Sequence, residues 1–111
     1  MNKLHLSPEV KDDLAEIKAY IAEDLENPQA ARSTVAKITK TIRRLQDHAL
    51  IGTSLSAIAD VETDCRFLVS GSYMVFYRVV GKNVYIDRVI NVRRDYLRIL
   101  FADTQEEQSF S

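Results

Sequence analysis

Cysteine, histidine, glycine and proline are all scarce in this chain of 111 residues, with one, two, three and two copies respectively. The single cysteine, Cys65, rules out an internal disulfide and agrees with a reducing cytoplasm. As a chemical group it is either a nucleophile or a small buried residue at the start of a strand, and the second role is the commoner one for cysteine. The two histidines, His5 and His48, stand far apart in sequence, at no metal-ligand spacing. Structural or solvated roles are expected for both, with no metal and no cofactor. No apolar run approaches the length of a bilayer span, and the N-terminus carries no apolar leader-like stretch. A cytoplasmic protein without a membrane partner is therefore expected. Neither sign of charge dominates: 15 Lys and Arg face 16 Asp and Glu, with a net charge of −1 and a pI near 6.1. This excludes a protein that coats nucleic acid by bulk charge. There is no repeat and no low-complexity linker. One domain over residues 1–101 is expected, followed by a polar, acidic tail at 102–111 that frays.

The few prolines and glycines are placed at boundaries. Leu4-His5-Leu6 alternates as a short strand and stops at Ser7-Pro8, a cap followed by a proline suited to the first helical position. Val10, Leu14, Ile17, Ile21 and Leu25 then form one apolar helical stripe. Asn27-Pro28 ends that helix and opens a second, with a stripe of Ala31, Val35, Ile38, Ile42 and Leu45. Both stripes should face a sheet, leaving Lys37, Lys40, Arg43 and Arg44 on a solvated outer face. Residues 48–62 lack a period and read as a loop with room for one helical turn.

Three strand-like runs follow, around Cys65–Val69, Tyr73–Val80 and Val84–Val92, rich in β-branched and aromatic residues. Gly71-Ser72 and Gly81-Lys82-Asn83 are suitable hairpin connections. A short helix-like run, Arg93–Phe101, completes the order. The fold class is α+β: a short N-terminal strand, a helical hairpin, a three-stranded antiparallel meander completing a small sheet, and a short C-terminal helix.

Charge within this last part is uneven. Between Thr63 and Phe101 seven basic residues (Arg66, Arg78, Lys82, Arg88, Arg93, Arg94, Arg98) outnumber three acids (Asp64, Asp87, Asp95). Strands alternate their side chains, so arginines on neighbouring strands can converge on one surface. With Tyr73, Val75, Tyr77 and Val79 facing the helices, Met74, Phe76 and Arg78 face away. In the preceding strand Cys65, Phe67 and Val69 make an inner set, leaving Arg66 outward. The outward face then combines Arg66, Met74, Phe76 and Arg78, an apolar surface edged with arginine that suits a protein partner. The alternative is that the terminal helix covers it. Arg88 falls on the apolar side of its strand, which a bulge or an ion pair with Asp87 or Asp64 would resolve. Asp95 is placed to cap the terminal helix. Arg93 and Arg94, at the strand-to-helix turn, rank first as functional residues.

The order of elements, the strand Tyr73…Phe76-Tyr77-Arg78-Val79, and Arg88-Val89-Ile90 leading into Arg93-Arg94-Asp95-Tyr96 resemble the RelE/ParE superfamily of bacterial toxins. The resemblance runs from Leu4 to Phe101. It implies the toxin of a type II toxin–antitoxin module, active in growth arrest and plasmid stabilisation. It also implies a cognate antitoxin that wraps the toxin in a hetero-oligomer. Members either cleave messenger RNA on the ribosome or inhibit DNA gyrase. RNA-cleaving members tend to carry an arginine where this chain has Met74, lysines on the strand where it has only Arg66, and a tyrosine or histidine where it has Leu97. Tyr96 sits one residue early, a turn of about 100 degrees on a helix. Metal-free RNA cleavage needs a base, an acid and cations for the developing charge, and no carboxylate pair, histidine dyad or lysine cluster is visible.

The expectation is therefore the ParE-like branch, a toxin that binds gyrase and is not an enzyme. Target-contact candidates are Arg66, Arg78, Arg93, Arg94 and Tyr96. Antitoxin-contact candidates are Met74, Phe76, Arg78 and Arg93. The alternatives are a ribosome-dependent mRNA endoribonuclease with an arginine-based site, and a non-toxic structural or regulatory binding partner.

Overall fold

In the computed structural model, which describes residues 1–101, the chain runs β1 (Lys3–Leu6), α1 (Pro8–Ala19), α2 (Pro28–Arg43), β2 (Thr53–Ser54), β3 (Arg66–Ser70), β4 (Tyr73–Val80), β5 (Asn83–Asn91) and α3 (Tyr96–Leu100). The tail expected to fray, 102–111, lies outside the described residues. The five strands form one sheet in the order β1-β5-β4-β3-β2. The β3–β4–β5 meander is antiparallel, and β1 joins it parallel to β5, with Leu4 opposite Val84 and Leu6 opposite Ile86. Gly71 and Gly81 open the two meander turns at φ +60, a conformation that disfavours any side chain.

Both helix starts follow the cap-then-proline logic. Ser7 Oγ accepts from the Val10 amide at 3.1 Å and donates to the Asp87 carbonyl at 2.9 Å. One serine thus begins α1 and ties it to β5. Asn27 Oδ1 accepts from the Ala30 amide at 3.0 Å, with Pro28 at the first helical position. The first apolar stripe holds only in part. Val10 is fully buried, and Leu14 and Ile17 pack beside it. After Ala19 the chain enters a π-helical turn, Tyr20–Asp24, and then Glu26 takes φ 53. The wider turn breaks the 3.6-residue period, so Ile21 stays buried whereas Leu25 is 55% exposed.

The sheet is covered on both faces. On one face Val10, Ile38, Ile42 and Leu45 of the helical layer pack on Tyr73, Val75, Tyr77, Val84, Ile86 and Val89. On the other, Met74, Phe76 and Ile90 join Leu55 and Cys65 beneath Tyr96, Leu97, Ile99, Leu100 and Phe101. Two expectations are corrected here. Met74 and Phe76 are not an open apolar surface: they are 5% and 0% exposed, because α3 closes over them. The facing of β3 is also the reverse of the expected one. Arg66, Leu68 and Ser70 pair with Tyr77, Val75 and Tyr73 and so share their helix-facing side, while Phe67 and Val69 pair with Phe76 and Met74. Within the loop at 48–62 the chain makes the two-residue β2 and a 3-10 turn, Leu55–Ala57.

Candidate functional site

The arginines of the meander divide into those that are committed inside the fold and those that are not. Arg66, turned toward the helical side, donates through Nη1 to the Gly52 carbonyl at 2.9 Å. The Gly52 amide in turn donates to the Tyr77 hydroxyl at 2.9 Å. A Cβ at residue 52 would sit 2.7 Å from the Phe67 carbonyl oxygen, so this close approach requires glycine. Arg66 therefore pins a loop and is not part of an outward surface.

Arg78 does face outward, but it is paired. Its Nε and Nη2 donate to Asp87 at 2.7 and 3.1 Å, and its guanidinium stands 5.6 Å from the centre of the Tyr85 ring. The Asp87 carboxylate holds Arg78 more firmly protonated than usual. The same ring stacks on His5 at 4.8 Å, and His5 Nε2 hydrogen-bonds Asn83 Oδ1 at 2.9 Å. His5 is thus a packed surface histidine, and His48 is exposed after the 3-10 turn that follows α2.

Arg88 resolves through a bulge and through a partner that was not anticipated. Phe76 lies opposite Arg88 while Tyr77 lies opposite Ile86, so β5 carries one extra residue there. The shift returns Val89 to the helix-facing side and sends Arg88 around the free flank of β5 to Asp13. Arg88 Nε and Nη2 each donate to the Asp13 carboxylate at 2.8 Å, and the Val89 amide donates to it at 2.9 Å. This bidentate contact raises the Arg88 pKa above its ordinary value. Asp13, on α1, is only 8% exposed. Its sequence signal was its position three residues after Val10 and one before Leu14, on the apolar stripe itself.

Arg93 and Arg94 are different. Both are exposed in the turn between β5 and α3. The Arg93 amide donates to Asn91 Oδ1 at 2.9 Å, which shapes the turn and leaves the side chain outward. Asp95 caps α3 as expected, accepting from the Arg98 amide at 3.2 Å. Arg98 is exposed on the same helix. Among the described residues the ion pairs are Arg78–Asp87 and Arg88–Asp13, and Arg93, Arg94 and Arg98 form none. Arg94 also borders a cleft of about 370 Å³ between α1 and the neighbouring ends of β4 and β5. Tyr96 is half-buried, its ring 5.5 Å from that of Phe76, so it serves packing.

The turn can supply guanidinium donors and positive charge to an acidic or phosphate group. Two titratable groups at the other end of the meander are held in their neutral forms. Burial, with Asp87 and Asp64 adding to it, pushes the Cys65 thiol up to about 11. Burial likewise raises the Tyr77 phenol. Among the described residues no three His, Cys, Asp or Glu side chains cluster as metal ligands, and no helix is long and apolar enough to cross a membrane.

Comparison with known proteins places this geometry. A family described as "ParE toxin of type II toxin-antitoxin system, parDE" matches residues 4–96. No curated protein matches the chain. Among solved structures, a chain of the chromosomal ParDE TA system from P. aeruginosa is similar, with a TM-score of 0.69 and 25% identity, over 82% of this chain and 96% of that one. The strand, the helical hairpin, the meander with its covering helix and the match over most of the sequence lead to one assignment: the chain belongs to the family of ParE toxins of type II toxin–antitoxin systems.

Proposed function

We propose that this protein arrests growth by binding DNA gyrase through Arg93 and Arg94, and that a cognate antitoxin neutralises it in a hetero-oligomeric complex in the cytoplasm. The observation that carries the reading is the division of the arginines. Arg66, Arg78 and Arg88 are spent on Gly52, Asp87 and Asp13, whereas Arg93 and Arg94 stand unpaired among the described residues. The antitoxin follows from likeness to a ParDE system. Met74 and Leu97 weigh against the alternative, ribosome-dependent mRNA cleavage: both pack into the second core cluster, at positions where catalytic polar groups would be needed.

Purified protein is expected to inhibit gyrase supercoiling and to leave ribosome-bound messenger RNA uncut in a toeprint assay. Arg93→Ala/Arg94→Ala should abolish growth arrest without a fall in thermal midpoint. Exposed substitutions usually change stability by about 0.5 kcal/mol, whereas removing a cation from a desolvated contact costs about 2–5 kcal/mol of binding. Retained toxicity at equal expression would move the target site elsewhere. New A-site cleavage would replace gyrase with the ribosome. Normal growth with abundant folded wild-type protein would leave only a non-toxic binding role.

A further inference from the structure

The sheet has a second end, remote from Arg93 and Arg94. The β4–β5 turn, the loop after α2 and the start of β1 meet there, separated from the two arginines by the length of β5, about 30 Å. Leu50, Ile51 and Val80 are 65%, 40% and 54% exposed at this end. Beside them lies a depression of about 570 Å³, floored by Ala49 and Val79, which pack against the helix-facing core. The exposure does not come from a slack loop. The Asn2 amide donates to the Gln46 carbonyl at 2.7 Å, and the Asn2 side chain donates to the Leu45 carbonyl at 3.2 Å. Gly52 is held at its amide by the Tyr77 hydroxyl and at its carbonyl by Arg66. Leu50 and Ile51 fall between these two anchors, so a pinned segment presents them to water. Charge is one-sided around them. Within segments 1–3, 43–52 and 79–83 four exposed cations, Lys3, Arg43, Arg44 and Lys82, stand against one acid, Asp47. None of the four is in an ion pair among the described residues. An exposed apolar patch rimmed by polar groups marks an interaction site.

We propose that this end docks an acidic segment of a partner protein, with an apolar side chain of that segment in the depression beside Leu50 and Ile51 and its carboxylates on Lys3, Arg44 and Lys82. Shape and charge select this occupant. A nucleic acid calls for cations at the centre and flat rings for its bases, whereas the centre here is aliphatic and the cations form the rim. A bilayer takes up apolar groups that protrude, and the floor of Ala49 and Val79 is recessed. A second copy related by a two-fold axis would set the same cations against one another. An apolar anchor inside a charged rim is the usual anatomy of a protein contact, with the rim steering the approach. A partner seated here leaves Arg93 and Arg94 uncovered, so the chain can hold it and a target together. The contact does not depend on the gyrase reading.

A random peptide library displayed on phage and panned against the full chain is expected to enrich peptides rich in Asp and Glu that carry Leu, Ile or Phe. The tightest of them, made synthetically, should shift the amide NMR signals of Ala49, Leu50, Ile51 and Val79. Leu50→Ser/Ile51→Ser should weaken it by about tenfold or more, and Lys3→Glu/Lys82→Glu by about tenfold. All four positions are exposed, so both variants should keep a thermal midpoint close to that of the wild type. Raising salt from about 0.05 M to about 0.5 M should weaken the wild-type contact much more than that of the charge variant. Arg93→Ala/Arg94→Ala should bind the peptide unchanged, so this contact and the gyrase reading fail separately. Failure to enrich acidic peptides, signals that shift elsewhere, or binding that ignores both variants would overturn the proposal. Tighter binding of duplex DNA or of phosphatidylserine vesicles at the same residues would overturn it too, as would a dimer that Leu50→Ser/Ile51→Ser dissolves.

Discussion

Replacing Asp13 by alanine is the sharpest test of how the sheet is held to the helical hairpin. The carboxylate accepts three hydrogen bonds, two from Arg88 at 2.8 Å and one from the Val89 amide at 2.9 Å. The Val89 amide needs this partner because β1 runs out at Leu6, opposite Ile86, leaving the far end of β5 without a neighbour on that side. Asp13→Ala strands a guanidinium and a backbone N–H together. Breaking a buried pair by removing one member costs about 3–5 kcal/mol. The Arg88 side chain is 27% exposed and recovers some hydration, which brings the expected loss to about 2–4 kcal/mol. For a domain of this size that is a fall in Tm of roughly 10–25 °C. Arg88→Met leaves the opposite member alone, and the double variant removes both charges. A double-mutant cycle by urea unfolding should therefore show a coupling of about 1–3 kcal/mol, with the double variant more stable than the sum of the singles implies. The Val89 amide should exchange with solvent faster in Asp13→Ala. A loss under about 0.5 kcal/mol, or a strictly additive cycle, would refute the reasoning.

Other outcomes follow from the same contacts. Tyr77→Phe leaves the buried Gly52 amide without its acceptor and should lower stability by about 1–3 kcal/mol, read from the urea midpoint. Gly52→Ala forces a Cβ to 2.7 Å from the Phe67 carbonyl oxygen and should cost about 1–3 kcal/mol by the same measurement, with the amide signals of β3 shifted. The Cys65 thiol is raised from 9.0 to about 11 by burial and by Asp87 and Asp64. Across that window the unfolded chain gives up the proton first, so stability is intact below it and falls as pH rises through it. Cys65→Ala should flatten part of that fall, and native Cys65 should react with a thiol reagent near neutral pH only after urea is added.

Helix starts, meander turns and the order of elements were legible because each rests on local chemistry, such as the two cap-then-proline pairs and the glycines at φ +60. Facing on the sheet was less so. Alternation identifies an inner face only when the other face is polar, and here both faces are buried. In β3, Phe67 and Leu68 are apolar neighbours that serve opposite cores, and reading Phe67 as helix-facing misplaced Arg66. The bulge at Asp87 left no mark in composition, so Arg88 had two open resolutions, and its true partner lies 75 residues away. The two residues of β2 are a pairing with no side-chain pattern to announce it. At the site, the rank given to Arg93 and Arg94 rested on their place in the turn. That Arg66 and Arg78 are occupied is a tertiary fact.

The parallel pairing of β1 with β5 also sets a timetable. Lys3–Leu6 meets its partner only when Asn83–Ile86 exists, and Asp13 waits for Arg88. At a synthesis rate of about 5–20 residues per second, the interval is roughly 4–16 seconds. Until β3 and β4 have been made, the apolar stripes around Val10, Ile38 and Ile42 have no sheet to cover them. The N-terminal half is thus a client for any chaperone within reach. A polypeptide interrupted before residue 83 has no route to the finished sheet, so partial products of this gene should be cleared rather than accumulate as folded fragments.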